Sequence, residues 1–449
     1  MVVLPEGADR FAARIVQPTS VQDRVEPCAR CADQTSDDRA QAIISIAADP
    51  RRYFPSDARV PLPGGDPPGH GHAGALRLHT DRCRRRGAPN PPSSRDIPLK
   101  ILPKHSLKAW VDRLRATHRV VAPRETYGQY IFEEIENADD LVLDYHTSVL
   151  PPKKYLLPPR EDLFAFNAKT MEMSPLIEEI QPTVIMALHT CDLHAITLLD
   201  KIQGTGHTDQ HYQARRRKTT LVSIECLKPC MDHAFCKSMG TLAVPEGFDV
   251  HLTDLGDRYA VEIGSEQGEQ LIEGLSLFWE PVEADYDRVN QVMAGKWPNF
   301  DYRLDCDVTD LPDLLAANQD SALWDEVGDT CLACGQCTKV CPTCYCFDVL
   351  DEIDLKLEHG KRIRVWDSCL IEKFAVVAGG HNFRSSQARR LRHRFLRKGK
   401  YQYESYGLLG CVGCGRCALS CPAHITPIGL LNTLAERRRP ATEEASSQS

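Results

Sequence analysis

The sequence predicts an α+β protein in which a mixed α/β domain precedes a smaller, largely α-helical domain. Between residues 98 and 305, apolar runs of strand length alternate with amphipathic helical segments, a pattern typical of mixed α/β domains. Between residues 306 and 435, two copies of one cysteine-rich motif occur, each followed by a Cys-Pro step. Such motifs occupy tight loops beside short helices, so we expect little sheet in this second part.

The chain ends differ from these domains in composition. Residues 1–97 are rich in Pro, Gly and Arg, as in PLPGGDPPGHGHAG, and such a segment buries too little apolar surface to offset its ordering entropy. We therefore expect a poorly ordered extension over 1–97 and a disordered tail over 436–449. Cys28 and Cys31 form a CxxC there, but only Cys83 is near as a third thiol, so we interpret them as part of the extension.

Composition narrows the class of protein. The 449 residues are 42% hydrophobic and 26% charged, which is ordinary for a soluble globular chain. The formal net charge of -8 argues against a general nucleic-acid binder. We find no run of eighteen apolar residues and no signal-peptide pattern, so a cytoplasmic protein that uses neither membrane nor nucleic acid is expected.

The nineteen cysteines are the most informative residues. Because the cytosol keeps thiols reduced, their number does not predict disulfides. Most of them crowd into four places: Cys226–Cys236, Cys331–Cys346, Cys369 and Cys411–Cys421. Clustered thiols of this kind indicate metal or iron–sulfur ligation.

One spacing occurs twice. CLACGQCTKVCP and CVGCGRCALSCP both separate four cysteines by two, two and three residues, as in bacterial ferredoxins, where the fourth cysteine serves the other cluster. Gly335 and Gly415 permit the tight turn. All-cysteine zinc sites use paired CxxC motifs instead. We therefore predict a two-[4Fe–4S] ferredoxin-like, largely α-helical domain over 306–435.

Crossed ligation divides the eight cysteines into two sets of iron ligands. The first quartet is Cys331, Cys334, Cys337 and Cys421, and the second quartet is Cys411, Cys414, Cys417 and Cys341. An insert over 347–405 separates the motifs, so this arrangement requires the insert to fold outward as its own lobe. If it does not, other ligands are needed, and three thiols remain: Cys344, Cys346 and Cys369. With both quartets complete, these three thiols would pack beside the clusters and tune them.

A third site is predicted where two strands end. TVIMALHT and KTTLVSIE are apolar runs of strand length, and the intervening CDLHAITLLDKI reads as a helix capped by Asp192,. A strand–helix–strand unit is parallel, and such sheets bind ligands at their carboxyl edge. The cysteines that follow the two strands form a third quartet: Cys191, Cys226, Cys230 and Cys236. Our hypothesis is a third [4Fe–4S] cluster; the alternative is that Cys191 and Cys226 are small buried hydrophobes.

The insert also carries a basic run, FRSSQARRLRHRFLRKGK, from Phe383 to Lys400. On an acidic protein this charge can dock an acidic partner. The alternative is an ordinary solvated helix face.

Several segments together resemble a known family of iron–sulfur subunits. They are LPPKKYLLPPREDLFAF, CDLHAITLLDKI, CLKPCMDHAFCKSMGT, CLACGQCTKVCPTCYCFD, WDSCLIEKFAVVAGGHNFR and GCVGCGRCALSCP. The family comprises the beta subunits of cytosolic sulfhydrogenase-type nickel–iron hydrogenases and the A subunit of anaerobic sulfite reductase. The resemblance covers about residues 98–435.

The resemblance implies an electron conduit between a flavin/NAD(P)H subunit and a catalytic hydrogenase or sulfite reductase subunit. The sequence agrees, because it contains no GxGxxG after a strand, no P-loop, no nucleophile elbow and no paired CxxC of a nickel–iron site,. The alternative function is an enzyme that reduces a sulfur or disulfide substrate directly at a cysteine or iron–sulfur site. A third is iron–sulfur structure without redox activity.

Overall fold

The computed structural model describes residues 98–177 and 179–438. The predicted extension over 1–97, with Cys28, Cys31 and Cys83, lies outside the described residues, as does the predicted tail beyond residue 438. All described residues belong to one compact unit.

Eleven strands form two sheets within the described residues. The strands are β1 (Leu99–Pro103), β2 (Arg119–Thr126), β3 (Gln129–Glu134), β4 (Arg160–Asn167), β5 (Met173–Pro175), β6 (Thr183–His189), β7 (Thr219–Ile224), β8 (Val250–Asp254), β9 (Arg258–Ile263), β10 (Phe347–Ile353) and β11 (His359–Trp366). The larger sheet has the order β1-β9-β8-β7-β6-β2-β3, and the smaller has the order β10-β11-β4-β5.

Twelve α-helices accompany the strands in the same part of the chain. The helices are α1 (Leu107–Arg115), α2 (Thr190–Gly204), α3 (Gln210–Arg217), α4 (Glu266–Gln270), α5 (Glu283–Lys296), α6 (Leu311–Ala317), α7 (Leu323–Thr330), α8 (Gln336–Lys339), α9 (Gln387–Leu396), α10 (Gln402–Tyr406), α11 (Arg416–Leu419) and α12 (Pro427–Arg438). This mixture of sheet and helix confirms the predicted α+β class.

The centre of the larger sheet is parallel. Strands β2, β6, β7 and β8 pair in parallel, and every residue of β6 and β7 is buried. Strands buried on both faces read as continuous apolar runs, which is why TVIMALHT and KTTLVSIE could be recognised. The predicted β6–α2–β7 unit is therefore confirmed, and the carboxyl ends of β6 and β7 lie at one edge.

The sequence pattern misleads in two places. The apolar run DLVLDY, Asp140–Tyr145, is typical of a short strand but forms none. The segment PPKKYLLPPREDLFAF is proline-rich, a composition that argues against regular structure, but it contains most of β4, because its prolines end at Pro159 and β4 pairs with β11. This pairing joins residues about two hundred positions apart, so no local sequence pattern could predict it.

The insert does not fold outward as a separate lobe. Its hairpin, β10–β11, extends the sheet begun by β4 and β5, and its helix α9 packs against α6 and α7. The approach of α7 to α9 is so close that a Cβ on Gly328 would lie 2.8 Å from the Ala388 Cα. The insert is thus built into both halves of the described structure.

The helical part has its own apolar core. Leu315 and Leu434 are fully buried there, together with Trp324 and Phe395. Phe235, from the loop that follows β7, packs into the same core. Between α9 and α10 the backbone forms a π-helical turn at Arg397–Tyr401, a local irregularity that is often found at functional sites.

Candidate metal centre

The two cysteine motifs fold into the same loop. Gly335 adopts φ 78° and ψ -5° at the start of α8, and Gly415 adopts φ 76° and ψ -13° at the start of α11. Two residues earlier, Ala333 and Gly413 also have positive φ, at 50° and 67°. A left-handed backbone at both steps turns each loop around its own thiols, so the sequence repeat is also a structural repeat.

The second quartet lines one cavity. Its empty volume, part of which is open to solvent, is about 590 Å³. Cys341 lies in its wall, although it comes from the first motif, and it meets there the three cysteines of the second loop: Cys411, Cys414 and Cys417. Apolar side chains such as Leu311 and Phe395 complete the lining. The juxtaposition required by crossed ligation is therefore present despite the insert between the motifs.

Three members of the first quartet also lie close together. The pKa of Cys337 is raised by burial, and the nearby thiolates of Cys331 and Cys421 raise it further. Cys421 accepts a hydrogen bond from the Ile425 N–H at 3.4 Å. Cys334, in contrast, is exposed to solvent.

The third quartet assembles at the predicted sheet edge. Cys191 lies in the first turn of α2, and the other three follow β7. Burial raises the pKa of Cys230, and the thiolates of Cys226 and Cys236 raise it further. The Thr190 hydroxyl donates to the Cys226 Sγ at 3.7 Å. Cys191 and Cys226 also pack in or against small apolar clusters, as the alternative of small buried hydrophobes predicts.

These thiols are suited to a group that supplies positive charge. Burial raises the pKa of Cys411 to about 11 and that of Cys414 to about 12, so ligation would release protons and couple to pH. Within the described residues, no three metal-binding side chains are close enough to hold a single ion. A cubane binds each thiolate through a different iron, so the spacing favours [4Fe–4S] over mononuclear zinc.

Part of the basic run faces the thiols. Arg394 is buried, and the pKa of its guanidinium is raised because the thiolates of Cys337 and Cys417 outweigh the effect of burial. Lys398 donates to the Thr343 hydroxyl at 2.5 Å. Neither interpretation of the run, as a docking patch or a solvated helix face, holds for these two residues.

Lys153 was missed by the sequence analysis. Its side chain is buried, donates to the Cys344 carbonyl and lies 4.4 Å from the centre of the Trp366 ring. Burial lowers its pKa to about 8, although the neighbouring Cys344 and Cys341 thiolates oppose the shift. A lysine in a proline-rich segment carries no signal of such a position.

The three remaining thiols lie close by. The Cys344 thiol forms a hydrogen bond with Cys341 of the second quartet. Cys346 accepts a hydrogen bond from Cys369, and this contact is the main reason why its pKa falls to about 6. Cys344 is therefore paired with Cys341, and Cys346 with Cys369.

The third quartet touches the second loop directly. The Phe235 N–H donates to the Gly413 carbonyl at 2.8 Å, and a Cβ on Gly413 would lie 2.7 Å from the Cys236 nitrogen. Cys191 and Cys414 belong to one small buried cluster. The second quartet thus takes Cys341 from the first motif and also touches the segment that carries the third quartet.

Asp192 does not cap α2 as predicted. Its side chain accepts no helical N–H, because both carboxylate oxygens bind the Arg416 guanidinium. No sequence pattern pairs these two residues, which lie on opposite sides of the insert.

The fold and the gathered thiols define a two-cluster iron–sulfur protein. Comparison with known proteins agrees: the 4Fe-4S dicluster domain family matches residues 330–425. The beta subunit of sulfhydrogenase 2 from Pyrococcus furiosus is 34% identical over 326 residues, which is 72% of this chain and 95% of that relative. The chain belongs to the sulfhydrogenase beta subunit family, which confirms the predicted resemblance. No solved structure matches it.

None of the helices within 98–177 and 179–438 is long and apolar enough to cross a membrane.

Proposed function

We propose that this chain relays single electrons between a flavin/NAD(P)H subunit and a catalytic subunit of the nickel–iron hydrogenase or sulfite reductase type. The observation that carries the proposal is the cavity where Cys341 of the first motif meets the three cysteines of the second. Shared ligation places two redox groups side by side. Each [4Fe–4S] group supplies a one-electron couple, and the protein sets its potential through burial and hydrogen bonds to sulfur.

The proposed ligands follow the three quartets. The first cluster is held by Cys331, Cys334, Cys337 and Cys421, and the second by Cys411, Cys414, Cys417 and Cys341. A third cluster is held by Cys191, Cys226, Cys230 and Cys236. Support for the third comes from the direct contact of this quartet with the second loop, since a redox group placed there would extend the relay.

Two features support a relay rather than a catalyst. The sequence carries no nucleotide fingerprint and no nickel–iron motif,, so substrate chemistry would reside on other chains. The name of the Pyrococcus furiosus relative describes a beta subunit, and a subunit with redox groups and no substrate site has the composition of a conduit.

The test uses the full chain, purified anaerobically. Three clusters predict about twelve irons per chain and two predict about eight. The reduced protein should give the electron paramagnetic resonance signals of magnetically coupled [4Fe–4S]⁺ centres, and it should pass electrons from NADPH only after the flavin subunit is added. A colourless protein that contains zinc would contradict the proposal.

Direct reduction of a sulfur or disulfide substrate is the second candidate function. The thiol pair formed by Cys346 and Cys369 favours it, because a hydrogen-bonded thiolate is a competent nucleophile toward disulfides,. Turnover of polysulfide or sulfite by the isolated chain with a chemical reductant would support the enzyme. Turnover that requires the partner subunits would support the relay.

A further inference from the structure

The two cysteine loops share a backbone but have opposite surroundings. In the first loop Leu332 is 64% exposed, whereas the equivalent Val412 of the second loop is 5% exposed. The same contrast holds at the next equivalent positions, where Cys334 and Gln336 are exposed but Cys414 and Arg416 are buried. The repeat therefore has one covered copy and one open copy.

The hydrogen bonds of the second loop identify the segment that covers it. The segment that carries the third quartet lies across it, with a hydrogen bond from the Phe235 N–H to the Gly413 carbonyl and another from the Thr241 hydroxyl to the Val412 carbonyl at 2.7 Å. Cys191 packs beside Cys414. The covering element is thus a thiol-bearing loop of a proposed redox site.

The first loop also contains the most accessible ligand of the proposed relay. Among the twelve quartet cysteines, all of which the structure describes, Cys334 alone is exposed. Electrons must enter or leave a relay at its surface, and the other eleven thiols are buried or partly buried. The first quartet therefore offers the proposed relay its most accessible point, at Cys334.

We propose that Leu332, Cys334 and Gln336, here called the open loop face, are the docking surface for a partner subunit that places a one-electron redox centre beside Cys334. The partner's loop would cover the first motif as the third-quartet segment covers the second. This inference rests on the proposed function. The face presents an apolar side chain and an uncharged amide, so it suits a small apolar contact of the kind that electron-transfer partners make.

Leu332→Glu tests the proposal, and Leu419→Glu is a matched control. Both leucines are 64% exposed, and each lies within two residues of a quartet cysteine. A charge at the centre of an apolar contact is costly, so in the complex purified anaerobically from its native cells, electron delivery through L332E should be about tenfold slower. L419E should stay within about twofold of the wild type.

Two further measurements separate docking from folding and from cluster content. Both variants should keep the iron content of the wild type and the same rate of reduction by reduced methyl viologen, a small dye that needs no docking surface. Hydroxyl-radical footprinting should modify Leu332 in the isolated full chain and protect it in the complex.

Three outcomes bear against the proposal. Equal rates for L332E and L419E would overturn it. So would protection of Leu332 in the isolated chain, since another part of the chain, or a second copy, would then cover the loop. A wild-type chain that dithionite cannot reduce would instead remove the proposed function, and with it the need for an entry point.

Discussion

Arg416 and Asp192 form a bidentate ion pair that is buried on both sides. The Nη1–Oδ1 and Nη2–Oδ2 distances are both 2.7 Å, and the exposed fractions of the two side chains are 2% and 0%. The Arg416 Nε donates to the Ser148 carbonyl at 3.0 Å. Asp192 follows Cys191 and Arg416 precedes Cys417, so the pair ties the third quartet to the second.

Asp192→Asn should destabilise the protein strongly. Removing one partner of a buried pair leaves an uncompensated charge, which typically costs about 3–5 kcal/mol. Urea unfolding of the full chain under anaerobic conditions would measure the change. Glu326→Gln, which removes an exposed partner of Arg437, is the control and should leave the unfolding midpoint unchanged. Equal midpoints for the two variants would contradict this role.

Cys341→Ala should remove the second cluster and spare the first. Its thiol lines the cavity with the cysteines of the second loop, so the variant should lose about four irons per chain. Cys344 forms a hydrogen bond with Cys341, so the double variant C341A/C344A tests whether this neighbouring thiol takes over when the single variant keeps its iron. Cys369→Ala, outside the quartets, should keep its iron. Full iron content in the double variant would refute crossed ligation.

Local patterns predicted the parts of this structure that depend on local sequence. The repeated cysteine spacing indicated the two left-handed loops, and the apolar runs indicated β6, α2 and β7. The third quartet could be predicted because the carboxyl ends of two parallel strands must meet, and Cys191 and Cys226 follow those strands.

What could not be predicted depends on contacts between distant segments. Strand β4 forms because β11 pairs with it, and Asp192 turns from its helix because Arg416 offers two hydrogen bonds. Lys153 lies beside the thiols only because the proline-rich segment crosses the helical part. In each case the partner residue is far away in sequence, and no local sequence pattern indicates which residue it contacts.

Replacing Cys226 and Cys230 together with Ala should remove a third set of irons. The two thiols are mutually close and partly buried, so without them the site retains only half its ligands. We expect iron to fall from about twelve to about eight per chain, while the signals of the two ferredoxin-type clusters remain. If the wild type contains only about eight irons, and the double substitution does not change that number, the third cluster is ruled out.

Stability should fall as the pH drops because of His393. Burial, followed by the Arg384 and Arg397 charges, lowers the pKa of its imidazole from 6.5 to about 4. The imidazole therefore takes up a proton below about pH 6.5 in the unfolded chain, but only near pH 4 in the folded protein. The stability that His393 contributes above pH 6.5 is lost as the pH falls from 6.5 to 4. Urea unfolding across this window should show a weaker pH dependence for His393→Gln. The exposed His381→Gln is the control, and parallel curves for H393Q and the wild type would contradict the prediction.

Lys398→Met should lower the reduction potential of the second cluster. The Lys398 ammonium binds the Thr343 hydroxyl at 2.5 Å, and that hydroxyl lies 3.2 Å from the Cys341 Sγ. Reduction adds one negative charge, which a buried cation beside the ligand stabilises. Loss of this cation should shift the midpoint reduction potential of the second cluster by about -60 mV, which is a tenfold change in a one-electron equilibrium.

Redox titration followed by electron paramagnetic resonance would measure the shift. Lys356→Met, on the exposed turn between β10 and β11, should leave the potential unchanged, and an equal shift in both variants would mean that Lys398 does not act on the cluster.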